Sequence, residues 1–182
     1  MRAQTADKVR LRWGLRSDTA AAHAALDQAV SAFDLSKPLG LARFLHMQAL
    51  ALGSLQAAGL GGRCAGLIGT LNGAARADLD TLGAPTPQAT AVPPFEALAV
   101  DYVVSGALLG SKILTQRWRA SADPAVQRAG QYFGATRGLE AWRDFQEDAA
   151  RISAHSARAD RICRDAAGVF ALFQRAATDD AQ

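Results

Sequence analysis

Arg16, His23 and Asp27 stand at spacings of seven and four residues, which places an arginine, an imidazole and a carboxylate on one face of a helix. A neutral imidazole in that setting offers one nitrogen to a metal such as iron. A carboxylate one turn away holds the other N–H, fixing the tautomer and the ring plane. Arg16, two turns from the imidazole, is placed to grip a carboxylate of an anionic ligand. The other two histidines, His46 and His155, lack such a pattern and read as structural residues. A second candidate lies in Asp101-Tyr102-Val103-Val104-Ser105-Gly106-Ala107-Leu108-Leu109-Gly110. Two glycines inside a helix together cost about 2 kcal/mol of propensity, so something should compensate for them. Without a Cβ the backbone either lies against a flat ligand or lets another helix cross closely, and the spacing alone leaves both readings open.

The elements that carry these residues are helical. Alanine and leucine dominate, β-branched residues are sparse, and no period-two alternation persists, so no sheet is expected. A first helix is expected over about Ala6–Ala32, with Leu11, Leu15, Ala22, Leu26 and Ala29 as its apolar stripe and Asp34 at its end. Ser36 is the expected N-cap of a second helix, with Pro38 in the first turn, running to Ala58 before Gly59, Gly61 and Gly62. The stretch Arg63–Leu82 has a helical pattern, but Gly66, Gly69 and Gly73 leave its first half in question. Gly83 is a C-cap candidate, and the four prolines between Ala84 and Pro94 require a loop. A long helix over about Phe95–Trp118, a short one from Asp123-Pro124, a turn bracketed by Gly134 and Gly138, and one or two helices over Leu139–Ala177 complete the chain. The expectation is a single all-α domain over 1–182, about seven helices around one core, with flexible ends at about 1–5 and 178–182.

Composition narrows the function classes. With 49% hydrophobic and 20% charged residues the chain is globular, and no run of 18 uninterrupted apolar residues occurs, so no membrane insertion is expected. The N-terminus lacks the apolar centre of a secretory signal, which points to the cytoplasm. Cys64 and Cys163 have no second ligand at metal spacing and read as two unrelated buried thiols. A net charge of +3, with acids scattered among the bases, argues against nucleic acid. Just three of the twenty cations are lysines, and an arginine-dominated surface suits a small anionic ligand.

Taken in order, these segments resemble the heme oxygenase family in its soluble bacterial, biliverdin-forming form. Leu15-Arg16-Ser17-Asp18-Thr19-Ala20-Ala21-Ala22-His23-Ala24-Ala25-Leu26-Asp27 is similar to the family's proximal helix, and Tyr102 to Gly110 resembles its distal helix, whose glycines lie over the heme face. Arg76-Ala77-Asp78-Leu79-Asp80-Thr81-Leu82-Gly83 is similar to the connecting helix. Trp142-Arg143-Asp144-Phe145 resembles the later segment that gives a basic residue to the heme propionates. The chain departs from the family at Ala107, where the animal enzymes carry a water-ordering aspartate. It departs again at Ser54-Leu55-Gln56, in place of proline-leucine-glutamate, and at Glu147, where a second cation is common.

The resemblance implies a heme oxygenase-like bundle that cleaves heme b, at once substrate and cofactor, to biliverdin, ferrous iron and carbon monoxide. Oxygen is the co-substrate, and electrons come from an external reductant such as ferredoxin or a flavin reductase. It implies His23 as axial iron ligand, oriented by Asp27, with Arg16 and Arg143 on the propionates and Arg137 or Lys112 as substitutes. Tyr102, Gly106 and Gly110 belong to the heme surface, and Ser105, Gly106, Ala107 and Gly110 shape the oxygen pocket. Phe170 and Phe173 either pack on the macrocycle or simply fill the core. The departures leave a second function class in play, a non-catalytic heme-binding or heme-sensing protein on the same fold.

Overall fold

The computed structural model describes residues 11, 14–136 and 140–179, and every regular element among them is helical. Six helices of ten residues or more are α1 (Ala20–Ser31), α2 (Pro38–Ala57), α3 (Ala65–Thr81), α4 (Ala97–Arg119), α7 (Glu140–Ala149) and α8 (Ala157–Thr178). Two five-residue helices, α5 (Pro124–Arg128) and α6 (Gln131–Ala135), lie between α4 and α7, and a 3-10 turn at Gly62–Cys64 precedes α3. One continuous apolar core joins them.

α2 is the centre because its apolar residues run round the helix: Leu41, Phe44, Leu45, Leu52 and Leu55 are all buried. It packs against α3 and α8, α8 in turn carries α1 and α4, and α7 lies on α4. α3 is one unbroken helix despite Gly66, Gly69 and Gly73. Its buried residues Ile68, Leu71, Ala75 and Leu79 follow the three-four spacing of a core stripe. Burying each large apolar side chain contributes about 1.5–3 kcal/mol, more than the roughly 1 kcal/mol a glycine costs.

The first helical stretch is interrupted where the sequence reading continued it. Residues 14–18 are helical, and Thr19 forms a turn before α1 begins at Ala20. The Thr19 hydroxyl donates to the Leu15 carbonyl at 2.6 Å beside its own N–H at 3.0 Å, and the His23 N–H donates to the Thr19 carbonyl at 2.8 Å, so the backbone bonds continue through the turn. Ser36 is not the N-cap of α2: Lys37 holds that position, and the Ser36 hydroxyl and N–H donate to the Asp34 carboxylate at 2.7 and 3.1 Å. Pro38 at the first helical position has no N–H to be capped. The C-terminal stretch divides into α7 and α8, with Ser156 capping α8 through the Ala159 N–H. Residues 1–5, Arg137, Gly138 and 180–182 lie outside the described residues, whereas Thr178 is the last residue of α8.

Before α3, the 3-10 turn is bound to the core by a buried carboxylate of α4. Asp101 accepts the Arg63 and Cys64 N–H groups at 3.1 and 3.0 Å. Gly62, at φ +38°, is required there, because a Cβ would sit 2.5 Å from Asp101 Oδ2. α4 is the one helix among the described residues long and apolar enough to cross a membrane, a property it shares with the core helices of soluble proteins. One side of it, with Leu98, Val100, Val103 and Val104, is buried in the core.

Candidate functional site

The other side of α4 faces a cavity of about 620 Å³ that separates it from α1. The volume lies within the usual range for a small-molecule site. α1 presents His23, Leu26, Asp27, Val30 and Ser31 to this space, the complete i, i+3, i+4, i+7, i+8 stripe of one helix face. None of the twelve residues of α1 is buried, although half-buried Leu26 and Val30 form an apolar stripe. On the opposite wall α4 presents Gly106, Ala107, Leu109, Gly110 and Ile113, of which Leu109 is 50% and Ile113 66% exposed. Two apolar helix faces therefore look at one another across open space.

The imidazole of His23 is oriented within this wall. Its Nδ1 lies 3.0 Å from Asp27 Oδ2, and its ring meets the edge of Phe170 with centroids 5.5 Å apart. An ionised carboxylate only accepts hydrogen bonds, so Nδ1 is the donor. In the neutral ring Nε2 then keeps its lone pair, and it has no hydrogen-bond partner among the described residues.

The two glycines of α4 behave differently from a helix-crossing pair. A Cβ on Gly110 would meet nothing within 4 Å, and one on Gly106 would make only an ordinary contact, 3.5 Å from Trp142 Cζ3. No neighbouring helix requires either of them, so the close-crossing alternative has no support in the packing. What they leave is a bare strip of backbone along the cavity wall.

α1 and α4 are tied at both ends of the space between them. Near the start of α1 the Thr19 hydroxyl lies 3.4 Å from the Tyr102 hydroxyl. At its far end the Arg117 guanidinium donates to the carbonyls of Ser31, at 3.3 Å, and Phe33. Fifteen residues of α4 separate the two ties, about 22 Å of helix. Gln174 of α8 adds a bond to the Ala22 carbonyl at 2.7 Å.

The residues singled out in the sequence divide in three ways. His23, Asp27, Gly106, Ala107 and Gly110 line the cavity together. Tyr102 and Phe170 stand behind it, in an aromatic cluster with Trp142 and Phe145, and position the walls. Ser105 is fully buried, and its hydroxyl donates back to the Asp101 carbonyl one turn earlier, away from the cavity. Arg16 and Arg143 are exposed on the surface and are not among the lining residues, and Lys112 lies on the far side of α4, beside Trp118 and Phe133. Phe173 lines the cavity, and both Phe170 and Phe173 are buried in the core.

Sequence reasoning missed Arg117, the one arginine or lysine among the lining residues. A signal for it existed: it lies seven residues after Gly110 and so shares that face of α4. It also missed Gln48 of α2 and Tyr132 and Phe133 of α6, which line the same cavity. Contacts of that kind come from tertiary packing and leave no periodic trace.

The thiols read as inert. Burial pushes the Cys64 thiol up to about 12, and burial together with the nearby Asp18 carboxylate raises Cys163 to about 11. Among the described residues no group of three or more histidines, cysteines or carboxylates is placed to hold a metal ion. No protein-family model matches the chain, and no curated protein matches it.

Proposed function

We propose that this protein is a heme oxygenase: it takes heme into the cavity between α1 and α4, where His23 Nε2 would hold the iron. The observation that carries this reading is the placement of His23 and the Gly106–Gly110 strip on opposite walls of one apolar cavity. A metal held by a single imidazole must bring most of its ligands with it, as the iron of a porphyrin does. The wall at Gly110 fits a macrocycle, since a Cβ there would meet no protein atom and would stand in the open space that the ligand would fill.

Heme, when bound, would be both the substrate, converted to biliverdin, iron and carbon monoxide, and the source of the iron that oxygen activation needs. The residues of this chain bind and orient. Asp27 holds the Nδ1 proton of His23 so that Nε2 faces the ligand side, and Phe170 limits the ring's rotation. Leu26, Val30, Leu109 and Ile113 exclude water from the ring faces. Arg117 is placed to meet a propionate in addition to its two carbonyls, a role that Arg16 and Arg143 would take only from outside the lining. Oxygen and electrons come from outside, the latter from a ferredoxin or flavin reductase.

One observation favours a second reading, a heme-binding or heme-sensing protein without turnover. The position that would order water near the glycines is the methyl group of Ala107, and the Ser105 hydroxyl is turned into the core. The test is direct: load the protein with hemin, then add oxygen with ascorbate or with ferredoxin and its reductase. Loss of the Soret band with growth of biliverdin absorption supports the enzyme. A spectrum that stays intact over many minutes contradicts it and supports the binder.

A further inference from the structure

One polar group in the cavity is used neither by the packing nor by the heme reading. Tyr132 of α6 is 7% exposed and lines the cavity, yet its hydroxyl has no hydrogen-bond partner among the described residues. The hydroxyl is not sealed in protein but opens onto the cavity, where it is available to an acceptor that phenylalanine could not bind. The side chain is nonetheless held firmly. Its ring stands edge-on to Phe44 and Phe133, with centroids 5.5 and 5.7 Å away. Its backbone N–H donates to Asp78 Oδ2 at 2.8 Å, and the Gln131 N–H donates to Oδ1 at 3.0 Å. Asp78 reaches across from α3 and is 0% exposed. Desolvation pushes its carboxyl up, against the pull of these two bonds, so an unfavourable burial is maintained where it fixes the start of α6.

We propose that Tyr132 donates a hydrogen bond to a small acceptor ligand that shares the cavity with heme, and that Asp78 is its positioning residue. The ligand class is a water, a diatomic or a small anion able to accept from a phenol. Burial raises the phenol above its ordinary value, so it stays a donor across the neutral range. Gln48 of α2 lines the same cavity and offers a second polar group. This pair lies on helices other than the one where Ala107 replaces an acid, which is why the distal helix alone gives no hint of it.

The inference rests on the heme reading, and fluoride is the probe that separates the two. Fluoride binds ferric heme and accepts hydrogen bonds, so its affinity for the hemin-loaded protein reads a nearby donor. Tyr132→Phe is expected to weaken fluoride binding about three- to tenfold, while the hemin affinity and the histidine-type Soret band stay as in the wild type. The melting temperature of the hemin-free variant is expected to stay the same or rise. Unchanged fluoride affinity in hemin-loaded Tyr132→Phe overturns this assignment alone, and so does a clear drop in the hemin-free melting temperature, which would make the hydroxyl structural. A wild-type protein that takes up no hemin overturns the heme reading and this assignment with it.

Discussion

Asp27 Oδ2 sits 3.0 Å from His23 Nδ1, one turn further along α1, and so leaves Nε2 as the ring nitrogen without a partner among the described residues. Both side chains are largely exposed, so the pair adds little to stability but sets the tautomer. Asp27→Ala is expected to lower hemin affinity about tenfold, near the lower end for loss of an orienting carboxylate. Asp27→Asn keeps an acceptor oxygen and should retain most of it. Hemin titrations of both variants check this, and equal affinities for wild type and alanine variant would remove the orienting role.

Gly110 separates ligand binding from folding. Because a Cβ there meets nothing, Gly110→Ala should stabilise the hemin-free protein by about 0.5–1 kcal/mol through helix propensity. The same methyl group stands on the cavity wall, so hemin binding should weaken, and Gly110→Leu should weaken it further. Thermal melts and hemin titrations on the same samples measure both. A stabilised variant that binds hemin as well as the wild type would show that this strip does not meet the ligand.

Arg117 joins the end of α4 to the end of α1 by bonds to two carbonyls, a task that needs the forked guanidinium. Arg117→Lys keeps the charge and loses the fork. It is expected to cost about 1 kcal/mol of stability and to lower hemin affinity severalfold, with Arg117→Met lower still if a propionate is also held. Should the lysine and methionine variants bind hemin equally, the charge has no part in binding and the clasp alone remains.

Legibility in the sequence followed the reach of each interaction. The helix faces carrying His23, Asp27, Gly106 and Gly110 could be read because three- and four-residue spacings fix what shares a face. The all-helical character was equally clear from composition and from the missing alternation. Across helices the structure sets several of the singled-out residues apart from the cavity lining. Arg16 lies on the first helical stretch, but the turn at Thr19 separates it from α1 and its side chain is exposed. Arg143 sits near Trp142, which touches the back of Gly106, yet its own side chain points outward from the cavity lining. Ser105 precedes Gly106 by one position, and a step of one residue on a helix turns a side chain by about a hundred degrees, here from the cavity into the core. Arg117, Tyr132 and Gln48 required the tertiary arrangement.

Asp78 gives a pH dependence of defined sign. Its carboxyl is raised in the folded protein by burial, so the folded state takes up this proton before the unfolded chain does. The group's contribution to stability is therefore fullest below the unfolded value of 3.8 and is lost as pH rises through the raised folded value. Asp78→Asn removes that titration while keeping one acceptor for the two N–H groups, and should cost about 1 kcal/mol at pH 7. On acidification toward pH 4.5 the wild type gains relative to the variant, so the gap between their urea midpoints widens. A gap that narrows on acidification would contradict the raised carboxyl.

The most direct measurement is the spectrum of hemin bound to the wild type and to His23→Ala, each before and after addition of imidazole. The account predicts a histidine-ligated Soret and visible spectrum in the wild type, its loss in His23→Ala, and its return when free imidazole fills the space left by the side chain. A His23→Ala protein that binds hemin with the wild-type spectrum, needing no imidazole, would contradict it.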